Sequence, residues 1–142
     1  MKYQHAFHAG NFADLHKHVT LLALLAALKR KDKGFLYLET HAGRGAYHLA
    51  NPTAETTAGI GRFCAAGHSA AELQQYAALL AQLRAQQSNP RFYPGSPVLA
   101  VHELRPQDRA VLIELQPAEA RALEHALEPA AGANARDRKS VV

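Results

Sequence analysis

Apolar residues recur at Leu15, Val19, Leu22, Leu25 or Ala26, and Leu28, a spacing that lines one face of an α-helix starting at Asn11 or Ala13 and reaching about Lys31. Asn11 suits the N-cap and Asp14 the first turn, while Lys29, Arg30 and Lys31 close the helix and Gly34 stops it. The pattern then changes. Phe35 to Leu38 is a near-continuous apolar run, which predicts a parallel-sheet strand buried on both faces and ended by Glu39. Ala46 to Ala50 reads as a short helix limited by Pro52, and residues 53–68 as a short helix with turns. Leu73, Tyr76, Ala77, Leu80 and Leu83 return to helical spacing over 70–87, with Ser69 as the expected cap. Ser96 and Pro97 form an N-cap and first-turn pair, after a bend at Pro94 and Gly95, for a helix that buries Val98, Val101 and Leu104. After a turn at 105–108, Arg109 to Leu115 predicts a second buried strand ending in Glu114, and Pro117 opens a helix through about Leu127. Neither Met1 to Phe12 nor the tail beyond Glu128 shows a period, so no third strand is expected.

With 142 residues, 48% hydrophobic and 20% charged, the chain has the length and composition of one soluble globular domain. A single cysteine, Cys64, rules out an internal disulfide or thiolate metal cluster and fits a reducing, cytoplasmic setting. The first residues are polar and histidine-rich where a signal peptide would be apolar, and Val19 to Leu28 is too short to span a bilayer. The net charge of +4 is unevenly placed: residues 1–50 carry seven Lys or Arg against three Asp or Glu, and six of the nine histidines. An acidic or phosphate-bearing partner suits that end of the chain. Lys29 to Lys33 alone need no partner, since cations there complement a helix dipole.

Chemistry concentrates after the first strand, in "ETHAGRG" (residues 39–45). Two glycines separated by one residue let the backbone turn sharply, which serves either a bare tight turn or a close approach to a ligand. Their place at the carboxyl end of a parallel strand favours the ligand. Glu114, at the end of the second strand, is either a solvent-facing carboxylate or an acceptor for ribose hydroxyls. The interval from Gly45 to Glu114 greatly exceeds the roughly 20 residues usual for that pairing, so an insertion is expected over 52–89. The histidines do not form a metal signature. His16 and His18 are about 200° apart on a helix, and there is no His-Glu-x-x-His pair or cysteine partner.

The stretches "YQHAFHAGNFADLHKHV", "FLYLETHAGRGAYHL", "YPGSP" and "IELQP", in this order, closely resemble the bacterial large-subunit (23S) ribosomal RNA adenine-N6 methyltransferases, a family also described as competence-type proteins for catabolism of external DNA. The resemblance runs from Met1 to about Leu127. It implies an α/β, Rossmann-like S-adenosylmethionine-dependent methyltransferase fold with an inserted helical subdomain. The expected divisions are residues 1–51 with the glycine loop, the insertion 52–89, a continuation over 90–128 and a divergent tail over 129–142. By motif, His18, His41 and Ser96 would contact S-adenosylmethionine, Glu114 would hold the ribose hydroxyls, and Tyr3 would touch the RNA. Lys17 suits a phosphate contact. The family usually has histidine where Gln116 stands.

Family members continue into a third strand ending in an acidic cofactor-binding residue, and later carry an Asp-Pro-Pro-Tyr motif that holds the adenine amine. No Asp-Pro-Pro-Tyr occurs in this sequence. The chain leaves the family pattern near Ala135, so the fold is expected to stop after the second strand and its helix, with no catalytic residue present. The tail "RDRKSVV" fits a truncation or an altered reading frame. The partner implied is 23S ribosomal RNA, met by a monomer without a membrane. A second reading is a non-catalytic nucleic-acid-binding protein that uses the basic first third.

Overall fold

The computed structural model describes residues 8–128 and 139–141. It is a mixed α/β arrangement in which two small sheets are joined and covered by helices. Helix α1 (Phe12–Leu28) is capped as its sequence requires, with the Asn11 side chain accepting from the Asp14 backbone N–H at 2.9 Å. It ends three residues earlier than expected. The turn that follows is clamped by a residue distant in sequence: the Arg105 guanidinium donates to the carbonyls of Lys29 (3.1 Å), Lys31 (2.8 Å) and Lys33 (3.3 Å). Lys29, which as a helix-end cation needs no partner, has one: its ammonium is paired with Glu103.

Strand β1 (Leu36–Glu39) pairs in parallel with β4 (Arg109–Leu112), Tyr37 opposite Ala110 and Glu39 opposite Leu112. Ala110 and Leu112 turn into the core with Leu22, Leu99, Leu123 and Leu127. The expectation of a strand buried on both faces is corrected. Leu36 and Leu38 lie on the opposite face, 60% and 55% exposed, because the described residues leave that face to solvent. A second correction concerns the tail. Strand β5 (Lys139–Val141) adds in parallel to β4, so the sheet order is β1-β4-β5 and the sheet does not stop at its second strand. Three residues, two of them polar, carry too little apolar pattern to announce a strand.

The second sheet was not expected. Ala46–His48 forms strand β2, antiparallel to β3 (Phe92–Pro94), with Tyr47 opposite Tyr93. Pairing with β3 overrides the weak helical preference of Ala46 to Ala50. Between them, helix α2 (Ala54–Thr56) runs through a π-helical turn at Thr57–Gly61 into α3 (Arg62–Ala65). There the Ile60 N–H donates to the Gly10 carbonyl at 2.8 Å. Helix α4 (Ala71–Gln86) follows; its N-cap is Ala70 without a side-chain bond, where Ser69 was expected. Tyr76, Leu79, Leu80 and Leu83 carry this helix into the common core. Helices α5 (Ser96–Glu103) and α6 (Pro117–Leu127) complete the described structure.

The ion pairs make the fold acid-sensitive in a definite direction. The His102 imidazole, 3.5 Å away, and then the paired Lys29 ammonium lower the pKa of the Glu103 carboxyl from 4.5 to about 2. The Arg44 guanidinium likewise holds the Glu119 carboxyl below its usual range. Lowered carboxyls stabilise the fold above their unfolded values and lose that contribution as pH falls through the folded ones. Thermal midpoints are therefore expected to be level near neutrality and to fall between pH 4.5 and 2. Glu103→Gln should flatten part of that fall, and an unchanged profile in the variant would assign the acid sensitivity to other groups.

Candidate functional site

Three connecting segments meet at the carboxyl end of β1. The first is the glycine loop, residues 40–45, whose Gly43 and Gly45 take positive φ of 64° and 78°. A side chain at Gly45 would put its Cβ 2.7 Å from Leu123 Cδ1 and 3.2 Å from Ala126 Cβ, so the loop lies directly on α6. The second is the turn between β3 and α5, joined to the loop by a bond from the Gly95 N–H to the Gly45 carbonyl, 2.7 Å. The third follows β4. There the Glu114 carboxylate accepts from the Gly43 N–H at 2.9 Å and from the Gln116 N–H at 2.8 Å. Arg44 adds a bidentate bond to Glu119 on α6, at 3.0 and 2.8 Å.

Glu114 is therefore not a free solvent-facing carboxylate. It lies 71 residues from Gly43 in sequence and touches the loop directly. Ser96 is also at this junction, though not as the N-cap of α5. Gly95 is the N-cap of α5 and Ser96 its first residue, which frees the hydroxyl to donate to the Glu39 carboxylate. The Tyr37 hydroxyl donates to the other oxygen of Glu39 at 2.8 Å. Burial, and then the Glu39 charge, push the Tyr37 phenol far above its ordinary value, so it remains a donor throughout the accessible pH range. His41 is exposed, with Nδ1 3.0 Å from the Thr40 hydroxyl.

The remaining expected residues are on α1 or outside the description. His18 is buried, 2% exposed, with Nδ1 3.2 Å from the Tyr93 hydroxyl. Lys17 is exposed, with its ammonium 3.0 Å from Asp14. Tyr3 lies outside the described residues. Sequence reasoning passed over Glu39 as a strand terminus and Asp14 as a dipole partner. Tyr93, within "YPGSP", was not singled out. A signal for Asp14 was present, since its spacing of three and four from Lys17 and His18 sets all three on one helical face.

Among the described residues no group of three or more His, Cys, Asp or Glu side chains could hold a metal ion, and no helix is long and apolar enough to cross a membrane. An apolar cleft lined by Leu49, Pro52, Ile60, Cys64 and Arg84, among others, includes none of the expected site residues.

Residues 32–140 match the family model described as ribosomal RNA large subunit methyltransferase D, RlmJ. Two curated proteins named ribosomal RNA large subunit methyltransferase J, from Haemophilus influenzae (strain Rd KW20) and Escherichia coli (strain K12), are each 42% identical over 123 residues. Each match takes in 84% of this chain and 44% of the relative. A crystal structure of a Legionella pneumophila (strain Philadelphia 1) protein superposes with a TM-score of 0.74 at 44% identity, over 82% of this chain and 44% of that one. The chain thus spans less than half the length of these relatives. A family match that takes in the glycine loop, the β3–α5 turn and Glu114 places this chain in the RlmJ family of large-subunit ribosomal RNA methyltransferases.

Proposed function

We propose that this chain is the S-adenosylmethionine-binding portion of an enzyme that methylates the N6 amine of an adenine in 23S ribosomal RNA, built on a Rossmann-like domain with residues 52–89 as its insertion. The observation that carries the reading is the bond between Glu114 and the Gly43 N–H, which joins the acidic acceptor to the glycine loop across 71 residues. The residues present fit the cofactor. Gly43, at positive φ, leaves the loop backbone bare at that point, and the half-buried Glu114 carboxylate lies beside it.

In this reading the Glu114 carboxylate accepts from the ribose hydroxyls, while His18, His41 and Ser96 orient the rest of the cofactor. Lys17 and Tyr3 meet the RNA, the lysine as a phosphate contact that carries no sequence information. S-adenosylmethionine, when bound, supplies the electrophilic methyl group. The target adenine has to leave its stack to reach such a site. With no Asp-Pro-Pro-Tyr in its sequence, the 142-residue chain is expected to bind the cofactor without transferring the methyl group.

Calorimetric titration of S-adenosylmethionine into the wild-type chain and Glu114→Ala tests this. Binding should weaken roughly thirtyfold in the variant, the loss of a charged hydrogen-bond acceptor of about 2 kcal/mol. A folded wild-type chain that binds no cofactor, or a variant that binds equally well, would defeat the reading. A plain nucleic-acid-binding module, favoured by the exposed Arg30, Lys31 and Lys33, predicts instead salt-sensitive RNA binding that Glu114→Ala leaves intact.

A further inference from the structure

Asp14 is a carboxylate 2% exposed to solvent, in the first turn of α1. One oxygen, Oδ2, accepts from the Gly10 N–H at 3.1 Å and from the Tyr93 hydroxyl at 3.0 Å. The other, Oδ1, lies 3.0 Å from the Lys17 ammonium and 3.7 Å from His18 Nε2. Burying a carboxylate this completely is costly, and a well-packed apolar group often serves stability as well or better. The start of the helix accounts for only part of it: Asn11 supplies the cap and the Gly10 N–H takes one bond to Oδ2, which leaves the contacts to Tyr93, Lys17 and His18 to be explained.

The hydroxyl of Tyr93 gives the arrangement a direction. It has one proton, and burial, with Tyr76 and Asp14 nearby, pushes its titration far above the ordinary range, so that proton stays in place. Given to Asp14 Oδ2, it leaves the phenolic oxygen as an acceptor facing His18 Nδ1 at 3.2 Å. At 3.2 Å from that acceptor, Nδ1 carries the ring proton, whereas Nε2, 3.7 Å from Asp14 Oδ1, stands beyond hydrogen-bond distance of the carboxylate. The Tyr93 ring also lies against the imidazole, with centroids 5.6 Å apart.

We infer that Asp14, acting through the Tyr93 hydroxyl, is a positioning residue that fixes the tautomer and orientation of His18 for contact with the cofactor. The inference rests on the reading of His18 as a cofactor contact. It assigns Asp14 and Tyr93 a part in binding although neither touches the ligand. The Asp14 carboxylate orients the hydroxyl, the hydroxyl fixes the imidazole, and the imidazole meets the cofactor.

The test is calorimetric titration of S-adenosylmethionine into the full chain, with thermal melts on every variant. Tyr93→Phe should weaken binding about tenfold in the wild-type background and by less than about twofold when His18→Gln is already present, as expected of residues acting in series. Asp14→Ala should weaken binding more than Asp14→Asn, whose amide oxygen still accepts from the Tyr93 hydroxyl. That pair keeps the test open should Tyr93→Phe fail to fold. Nitrogen-15 spectra of the His18 ring should show the Nδ1-protonated form in the wild type and a mixture in Tyr93→Phe. Additive losses from Tyr93→Phe and His18→Gln, equal binding by the two Asp14 variants, or an unchanged His18 spectrum would overturn the inference alone. A folded wild-type chain that binds no cofactor would overturn the reading of the site and this inference together.

Discussion

Asp108→Ala is expected to destabilise the fold by about 3 kcal/mol, the upper end of the scale for leaving desolvated donors without their acceptor. For a domain of this size that is a fall in thermal midpoint of roughly 10 °C. Asp108 is fully buried and satisfies four donors: the Phe35 N–H at 3.2 Å, the Arg105 N–H at 2.8 Å, and two groups of the Arg105 guanidinium at 3.0 and 3.1 Å. The same guanidinium holds the last carbonyls after α1 and lies over the Phe35 ring, 5.9 Å from its centroid. One carboxylate thus fixes the end of α1, the entry to β1 and the entry to β4. Burial works to raise its pKa, but the bonds from Arg105 and Phe35 outweigh that and hold the carboxyl below its usual value. Its removal leaves buried donors unpaired on two elements at once, and thermal melts of the variant beside the wild type measure the cost. A loss under about 1 kcal/mol would show that water replaces the carboxylate.

Gly45→Ala should strike both stability and binding. The φ of 78° costs a residue with a side chain about 1 kcal/mol. The new Cβ would also meet Leu123, which is fully buried and has little freedom to retreat. We expect a stability loss of about 2 kcal/mol, reached by strain and overpacking together. Cofactor affinity should fall at least tenfold, because displacing Gly45 disturbs its bond to Gly95 and, two residues away, that of Gly43 to Glu114. Gly67→Ala is the control: nothing lies within 4 Å of its Cβ position, and both measurements should match the wild type. A Gly45 variant that melts and binds like that control would remove the loop from any account of the site.

The sequence declared its helices better than its sheets. A stripe such as Leu15, Leu22 and Leu25, together with the Asn11 cap, is local information, and α1 followed it. The clamp on the turn after Leu28 could not be read locally, because Arg105, more than 70 residues on, supplies it. Strand β2 depends on a partner 46 residues away, and β5 on a parallel neighbour, so short polar strands of this kind leave little trace in a pattern of apolar residues. The expected burial of β1 on both faces failed for a related reason: Leu36 and Leu38 are apolar, but nothing in a four-residue run says which face a helix will cover. At the site, loop and acid were legible as types while their meeting was not. The exchange of roles between Gly95 and Ser96 shows how narrow the margin is, since a one-residue shift in a cap releases a hydroxyl for Glu39.

The order β1-β4-β5 also sets a clock. Strand β4 is bonded along both edges, whereas β1 and β5 each have a described partner on one side only. Fraying from either edge leaves the middle strand intact, and its amide protons should exchange with deuterium last. Glu114 stands two residues beyond β4, and the glycine loop hangs from β1. The carboxylate is therefore the long-lived half of the site and the loop the short-lived one. Each time the edge opens and closes, the loop returns to an acceptor that has not moved.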